Sequence, residues 1–293
     1  MMEIKVLGTS ATWPLPRRGR ECFCPICQSK DKRDKRLRSA ILLEISNKRP
    51  RKVASLPRDR QETRILIDCG PDIIKQLGRE KISQIDFIVL THAHSDHTSG
   101  LKSIGPHKLH KEGPVPIYAH SEVHKRLSSN FKKLKYQKKV IYPFKKFKIS
   151  AKGAAPAVGQ GSASGGENLE FSPLLVFHSK NFPTFAFKIV SSVKCQMSSV
   201  VYMPDYKNIP QKSIKEMKHA DILILGGAIL HRRIPWHRPI DEGIKTAKEL
   251  EAKRVYFTHI GHQTLPHKEL VKYVQRLGNK NFNVLYDSQL IRI

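Results

Sequence analysis

IVLTHAHSDHTSGL, residues 88–101, is the stretch on which the reading of this chain turns. An apolar strand runs up to Thr91, and His92, His94, Asp96 and His97 follow within six positions. Three imidazoles and a carboxylate on a tight turn make a poor core and a poor helix, but they aim several metal-binding heads at one point. On an extended segment His92 and His94 point the same way, because side chains alternate with period two. Asp96 and His97 lie just beyond, where the chain turns. Two neighbouring ions suit that arrangement better than one.

Further strand ends carry the same kinds of side chain. Asp68 closes an apolar strand in RILIDCGPD, His178 follows one in LLVFHSKNFPTFAFKI, Asp205 ends VVYMPDY, and His259 ends VYFTHIGH. HAHSDH resembles the HxHxDH signature of the metallo-β-lactamase fold, and these landmarks occur in that family's order. The resemblance implies an α/β fold, the αββα four-layer sandwich, with two sheets face to face, helices outside and metals at one edge. It also implies one ion held by His92, His94 and His178, a second by Asp96, His97 and His259, and Asp205 bridging them. Zinc or manganese is expected, with iron and nickel open, since all accept His/Asp ligands. Neutral imidazoles leave such ions Lewis acidic, a bridging carboxylate holds them at ~3.5–4 Å, and a bridging water becomes hydroxide near neutral pH. Asp68 is expected to orient a ligand imidazole from behind.

Cys22, Cys24 and Cys27 stand at CxCxxC spacing, three of the five cysteines in the chain. In a reducing compartment this spacing argues for thiolate–metal ligation more than for disulfides. Structural zinc prefers a closed tetrahedral set, so a fourth ligand must come from elsewhere. Members of the fold resembling the phosphoribosyl cyclic phosphodiesterase pair CxCxxC with the last His of THxxH. That resemblance makes His262 the candidate fourth ligand of one structural zinc. Cys69 and Cys195 have no comparable neighbours and receive no role.

The chain of 293 residues is long enough for one large α/β domain or two small ones. The resemblance covers most of it and favours a single domain, 1–293. No twenty-residue apolar run occurs, and the opening MMEIKVLGTS starts on a strand pattern without a signal-peptide layout, so a cytoplasmic protein without membrane attachment is expected. The formal net charge of +28 suits phosphorylated or polyanionic partners. A basic loop is expected near 47–64 and a flexible Gly/Ala/Ser loop near 151–166. The Lys102–Lys148 segment carries thirteen Lys or Arg against two acidic residues, with Phe131, Tyr136, Tyr142, Phe144 and Phe147 interleaved. That mixture can meet phosphates and stack on bases, although aromatic rings in a domain of this size usually face the core.

A helix is expected after Asp68, where Pro71 precedes IIKQL. The second half reads as strands at 174–177, 184–190, 200–203, 222–225 and 255–257, helices at 213–219 and 239–250, and a closing strand pair near Val284 and Ile291. Between them, GGAILHRRIPWHRPIDEGI must supply acid and phosphate contacts beyond the metals. His237 is the expected general acid or base, with His231 competing and Arg232, Arg233 and Arg238 as phosphate contacts. Asp96, Asp68 and His237 complete the expected catalytic set.

The reading is a dinuclear metal-dependent hydrolase of phosphodiester bonds, with a small, cyclic phosphodiester as substrate. PDYKNIP looks like the D-x-x-x-[IL]-P context of the cyclic phosphodiesterases. The alternative is a tRNA 3′-processing endoribonuclease, whose opening LGTSATWPLPRRG and LIDCGPDIIKQL resemble. Against it, GGAIL stands where an acidic EATF-like segment is expected, and HRP where HST is expected. Lactone or ester hydrolysis is chemically open to the same site. A non-catalytic nucleic-acid-binding protein would have no reason to keep all seven ligands. A homodimer is compatible with all of these readings.

Overall fold

In a computed structural model, residues 2–17, 22–46, 62–104, 113–132, 134–150, 168–193, 196–232 and 234–293 are described. Residues 47–61 of the expected basic loop, the 151–166 stretch, Cys195 and Arg233 lie outside the described residues.

Alternating apolar positions build two seven-stranded sheets. The first contains β1 (Met2–Gly8), β2 (Ala40–Ser46), β3 (Glu62–Ile67), β4 (Phe87–Val89), β5 (Pro116–Ala119) and β6 (Gln137–Val140). The second contains β7 (Phe147–Ser150), β8 (Asn168–Val176), β9 (Thr184–Val193), β10 (Gln196–Met203), β11 (Ile222–Gly226), β12 (Arg254–Thr258) and β13 (Phe282–Val284). The last strand, β14 (Leu290–Arg292), returns to the first sheet, which runs β14-β1-β2-β3-β4-β5-β6. The second runs β13-β12-β11-β10-β9-β8-β7. In each, antiparallel pairs give way to parallel ones at the same point, β3 beside β4 and β10 beside β11.

Strand residues of one parity face the other sheet, and those of the opposite parity face helices. Ile41, Leu43, Ile65, Ile67, Val200, Tyr202, Ile222 and Ile224 form the layer between the sheets. Leu42, Leu66 and Ile88 instead pack on α2 (Ile73–Arg79), on α4 (Leu101–Ile104) and on α5 (Ser121–Asn130). Val201, Leu223 and Phe257 pack on α6 (Gln211–Met217), α7 (Ile240–Glu249) and α8 (His267–Leu277). Two one-turn helices, α1 (Pro25–Gln28) and α3 (Ser95–Thr98), lie at the site edge. Three apolar layers between four structural layers are the αββα sandwich that the sequence led us to expect.

Two features differ from expectation. The strands near Val284 and Ile291 do not pair with each other: β13 runs parallel to β12, whereas β14 runs antiparallel to β1. A turn at Tyr286–Gln289 carries the chain between sheets, with Ser288 at φ 69° and its N–H bonded to the Val6 carbonyl. The second is α8, absent from the sequence reading. Its signals were present: Pro266 ahead of the first turn, Glu269 within it, and Leu270 and Val274 one turn apart on the buried face.

The start of α8 closes a buried polar cluster. Arg36, fully buried, donates to the Thr9 hydroxyl (2.9 Å), the Leu285 carbonyl (2.6 Å) and His267 Nδ1 (3.0 Å). The His267 N–H donates to Asp34 Oδ1 (2.9 Å). A guanidinium only donates, so His267 must accept at Nδ1 and stay neutral. Burial, followed by the charges of Arg36 and Arg33, holds His267 down at about 4.

Because that folded value lies below the ordinary 6.5, the unfolded chain binds the proton first. The stabilisation is complete above pH 6.5 and is lost as pH falls to about 4, a loss of up to roughly 3 kcal/mol. His267→Gln keeps an acceptor for Arg36 and removes the titration. In paired urea unfolding, the stability advantage of the unsubstituted protein over this variant should shrink from pH 7 to pH 4. An advantage constant with pH would show that His267 does not carry the effect.

Candidate metal centre

The strand ends deliver the site. Asp68 follows β3, His92 to His97 follow β4, His178 follows β8, Asp205 follows β10 and His259 follows β12. The Phe185 N–H bonds to the Thr91 carbonyl (3.0 Å), tying the two sheets together beside this point. Backbone shape matters as much as side-chain type. Asp68 and His259 adopt φ values of 65° and 55°, a left-handed conformation that costs about 1–3 kcal/mol for such residues and concentrates at functional sites. Gly70 lies so close to the α3 turn that an added Cβ would stand 2.1 Å from the Asp96 carbonyl oxygen. Only glycine permits that approach.

Three nitrogens meet first. His92 Nε2 lies 2.8 Å and His178 Nε2 3.1 Å from His94 Nδ1. Asp96, His97 and His259 form a second group, and Asp205 lies between the two. Its Oδ2 is 2.8 Å from His97 Nε2, and its Oδ1 is 3.2 Å from His259 Nε2 and 3.8 Å from His178 Nε2. His237 Nδ1 approaches the same Oδ1 at 3.2 Å.

These atoms are close but do not satisfy one another. His97 Nε2, both Asp205 oxygens and both His259 nitrogens are buried without a hydrogen-bond partner. Short separations with misdirected hydrogens mean that the atoms converge on shared space, as the ligands of one ion do. The donor set fits divalent metal: buried imidazole and carboxylate in two groups of three around a common carboxylate.

Protonation supports that fit. Burial holds His92 and His178 low, His94 at about 4 and His259 at about 3, so these rings are neutral and keep lone pairs. His97 differs. Burial opposes its charge, but Asp68, Asp96 and Asp205 outweigh burial and raise it well above the ordinary value. Burial raises the Asp205 carboxyl, and His259, His178 and His97 overcome this and hold it well below the usual range.

A supporting layer fixes the rings. Asp68 accepts at Oδ1 from the Thr91 N–H and hydroxyl, each at 2.9 Å, and at Oδ2 from His97 Nδ1 at 2.8 Å. His97 therefore turns Nε2 towards Asp205. His178 Nδ1 donates to the Trp236 carbonyl (2.6 Å), which turns its Nε2 towards His94.

The cysteine cluster is partly assembled. Cys22 Sγ lies 3.2 Å from Cys24 Sγ and 3.6 Å from His262 Nδ1. Cys27 is buried in α1, its N–H bonded to the Cys24 carbonyl, and its thiol is not in the group of ligand atoms that converge on His262. A bond from the Cys24 backbone lowers the Cys22 thiol, whereas burial pushes Cys24 up to about 12.

Other expected contacts fall elsewhere. His231 is exposed and donates from Nδ1 to Asp241 Oδ2 (2.6 Å), outside the metal groups. Arg238 donates to the Lys207 carbonyl and the Thr246 hydroxyl and lies over the Tyr206 ring. Arg232 is exposed. Sequence reasoning missed Phe182 and Arg126. Phe182 packs against the His92 and His94 rings, with centroids 6.0 and 4.9 Å away, and the Arg126 guanidinium lies 4.7 Å over its face. The ring four residues past His178 was visible in NFPTF; nothing in sequence placed α5 beside it.

Comparison with known proteins agrees with this geometry. The family described as "Beta-lactamase superfamily domain" matches residues 63–260. A solved diphosphatase from the PhnP family is 26% identical and superposes with a TM-score of 0.76 over 99% of this chain and 96% of that one. Zinc-bound PqqB from Methylobacterium extorquens is 17% identical, with a TM-score of 0.72 over 99% of this chain and 100% of that one, a likeness of fold. A curated relative from Porphyromonas gingivalis (strain ATCC BAA-308 / W83), named octanoyltransferase, is 25% identical over 299 residues. The match takes in 100% of this chain, which spans about half (53%) of that relative's length.

Ions bound at a thousand times their Kd would add about 4 kcal/mol. Stripping them with EDTA should therefore lower the Tm by roughly 10 °C, and Asp205→Ala should lose most of that chelator response. Superimposable melting curves in zinc and in EDTA would contradict the metal assignment.

Proposed function

The chain belongs to the β-lactamase superfamily, a hydrolase family whose members typically bind divalent metals, and from this we propose that it is a dinuclear metal-dependent phosphodiesterase of a small, cyclic phosphodiester. The observation that carries the reading is the convergence of two ligand groups on the buried Asp205 carboxylate, with His237 beside it. His92, His94 and His178 would hold one ion, Asp96, His97 and His259 the other, and Asp205 both. Bound there, divalent ions supply Lewis acidity towards phosphoryl oxygen and a nucleophile from water near neutral pH.

The remaining work falls to the chain. Asp68 and Thr91 keep the His97 ring in register, and the Trp236 carbonyl does the same for His178. His237 is half-buried, and its Nδ1 faces Asp205. Its Nε2 is the atom from which a proton passes to the departing alkoxide. Likeness to the PhnP-family diphosphatase supports phosphate chemistry. The octanoyltransferase name describes a protein about twice as long and is not carried over.

A second reading, tRNA 3′ processing, is favoured by the net charge of +28. The Lys102–Lys148 surface gives it limited support. Phe147 stacks between Tyr118 and Phe171, Tyr136 stacks on His124, and Phe131 and Phe144 are partly buried. Only Tyr142 of the five rings is exposed, so the segment offers cations more than stacking platforms.

Cys22, Cys24, Cys27 and His262 would hold a structural zinc. A cytoplasmic location belongs to the same proposal, since thiolate–metal ligation suits a reducing compartment. Among the described residues no helix is long and apolar enough to cross a membrane.

Metal-loaded protein should turn over a ribose cyclic phosphate, Asp205→Ala should not, and His237→Gln should lose about 10²–10⁴-fold in kcat. Cleavage of 3′-extended tRNA alone in a parallel assay would reverse the order of the two readings. For the cysteine cluster, Cys24→Ser should lower zinc content by one equivalent and reduce Tm. Unchanged zinc content would remove these thiols from the ligand set.

A further inference from the structure

We propose that Arg238 is the positioning residue for His237. Its guanidinium fastens the backbone beside His237 to the segment that follows Asp205, so that the ring meets the reacting bond in one register. The catalytic consequence rests on the phosphodiesterase reading, whereas the placement does not.

His237 needs such a support. It lies near the end of the loop of residues 227–239 between β11 and α7, where Ile229 and Leu230 are buried but His231, Arg232, Pro235 and Trp236 are exposed. A stretch with so few packed side chains does not by itself hold an imidazole within the ~0.5 Å that a working constellation requires. The support comes from the other side. Pro239 stands at φ −63° directly before α7, and a residue that precedes proline is confined to extended backbone, so Arg238 has one way to leave His237.

The contacts of Arg238 run in two directions. Its N–H donates to the Tyr206 carbonyl (3.1 Å) and its Nε to the Lys207 carbonyl (3.0 Å), while Nη2 lies 3.5 Å from Asn208 Oδ1. Towards α7, Nη1 donates to Thr246 Oγ1 (2.9 Å), and Nε lies 3.6 Å from Glu242 Oε2. Tyr206 to Asn208 directly follow Asp205. The backbones of Asn208 and Phe177 bond to each other at 2.8 and 3.1 Å, one residue before His178. One junction therefore joins the chain segments of His178, Asp205 and His237, whose ligand atoms form one group. From it His237 Nδ1 reaches Asp205 Oδ1 at 3.2 Å, and His178 Nδ1 closes the circuit on the Trp236 carbonyl.

Shape matters here more than charge. Nε, Nη1 and Nη2 are turned to a carbonyl, a hydroxyl and an amide oxygen of the fold, and the guanidinium lies 5.9 Å over the Tyr206 ring. A planar fork with donors in fixed directions suits acceptors on separate elements. An arginine that grips phosphate presents that fork to the anion instead. These bonds make Arg238 a support for His237 rather than the phosphate contact expected from sequence.

Two leaving groups separate a misplaced proton donor from general damage. A ribose cyclic phosphate expels an alkoxide that needs a proton, whereas bis(p-nitrophenyl) phosphate expels a nitrophenolate that does not. The ratio of kcat on the two substrates in one preparation of zinc-loaded protein is independent of the active fraction. Arg238→Gln should lower kcat on the cyclic phosphate by roughly 10- to 100-fold, with KM and the nitrophenyl ester reaction little changed. In a His237→Gln background the same change should cost nothing further. Arg238→Lys keeps the charge without the fork and should recover only part of the loss, and Thr246→Val, which removes one acceptor, should act in the same direction. Equal loss on both substrates, full additivity with His237→Gln, or a KM rise that Arg238→Lys restores would overturn the proposal. Placement is read without turnover: the His237 ring 15N signals, identified as those missing from His237→Gln, should move in Arg238→Gln while the other histidine signals stay in place. Unmoved His237 signals would overturn the placement, and moved signals in a protein that turns over neither phosphodiester would sink the phosphodiesterase reading alone.

Discussion

A carboxylate buried among imidazoles is the constraint on which the rest of this structure depends. Asp205 is almost completely inaccessible, and its oxygens face His97, His178, His237 and His259 without accepting a hydrogen bond. Burying an ionised carboxylate is costly unless a cation or several donors compensate. Among the rings of the cluster His97 is held towards its charged form, while burial holds His92, His94, His178 and His259 low. The buried oxygens left without a hydrogen-bond partner suit a site designed around added positive charge, which metal binding would supply. The left-handed turns at Asp68 and His259 are part of the same investment in geometry, held by β-strands that cannot shift independently.

The two sheets show how the scaffold reaches such placement. Each runs through antiparallel strands into parallel ones in the same order, so β3 corresponds to β10, β4 to β11 and β5 to β12. Asp68 and Asp205 then occupy equivalent strand ends, as do His120 and His259. The members of each pair do different work. Asp68 lies behind His97 and fixes a ring, whereas Asp205 stands between the ligand groups. His259 joins the cluster, whereas His120 caps α5 by accepting the Glu122 N–H at 3.2 Å. Symmetry supplies the positions, and the side-chain surroundings decide what each one does.

This division explains what could be read in the sequence. Strands such as RILI, FIVL, VVYM and VYFT stand out as apolar runs, and Asp68, His92, Asp205 and His259 follow within two residues of their ends. Together with the resemblance of HAHSDH to the HxHxDH signature, this made the αββα class and the convergence of His92, His94, Asp96, His97, His178, Asp205 and His259 legible. No residue pattern revealed the repeat, because hydrophobic layers constrain parity and volume rather than identity. The partners of β13 and β14 were equally hidden, since pairing at a sheet edge depends on where the chain crosses over. Arg126 could not be found at all: its relation to the site exists through Phe182, a contact between α5 and a loop 56 residues later.

Charge balance links the centre to the field around it. On the proposed reading, the three carboxylates of Asp68, Asp96 and Asp205 and one hydroxide would balance two divalent ions, which leaves the buried centre close to neutral. A centre so balanced does not select a ligand by charge alone. The chain's net charge of +28 acts at longer range, drawing in anions of any kind and raising their local concentration without telling one from another. Attraction and reaction are thus separated: the net charge acts at range, and the carboxylate-centred interior holds the groups that would react.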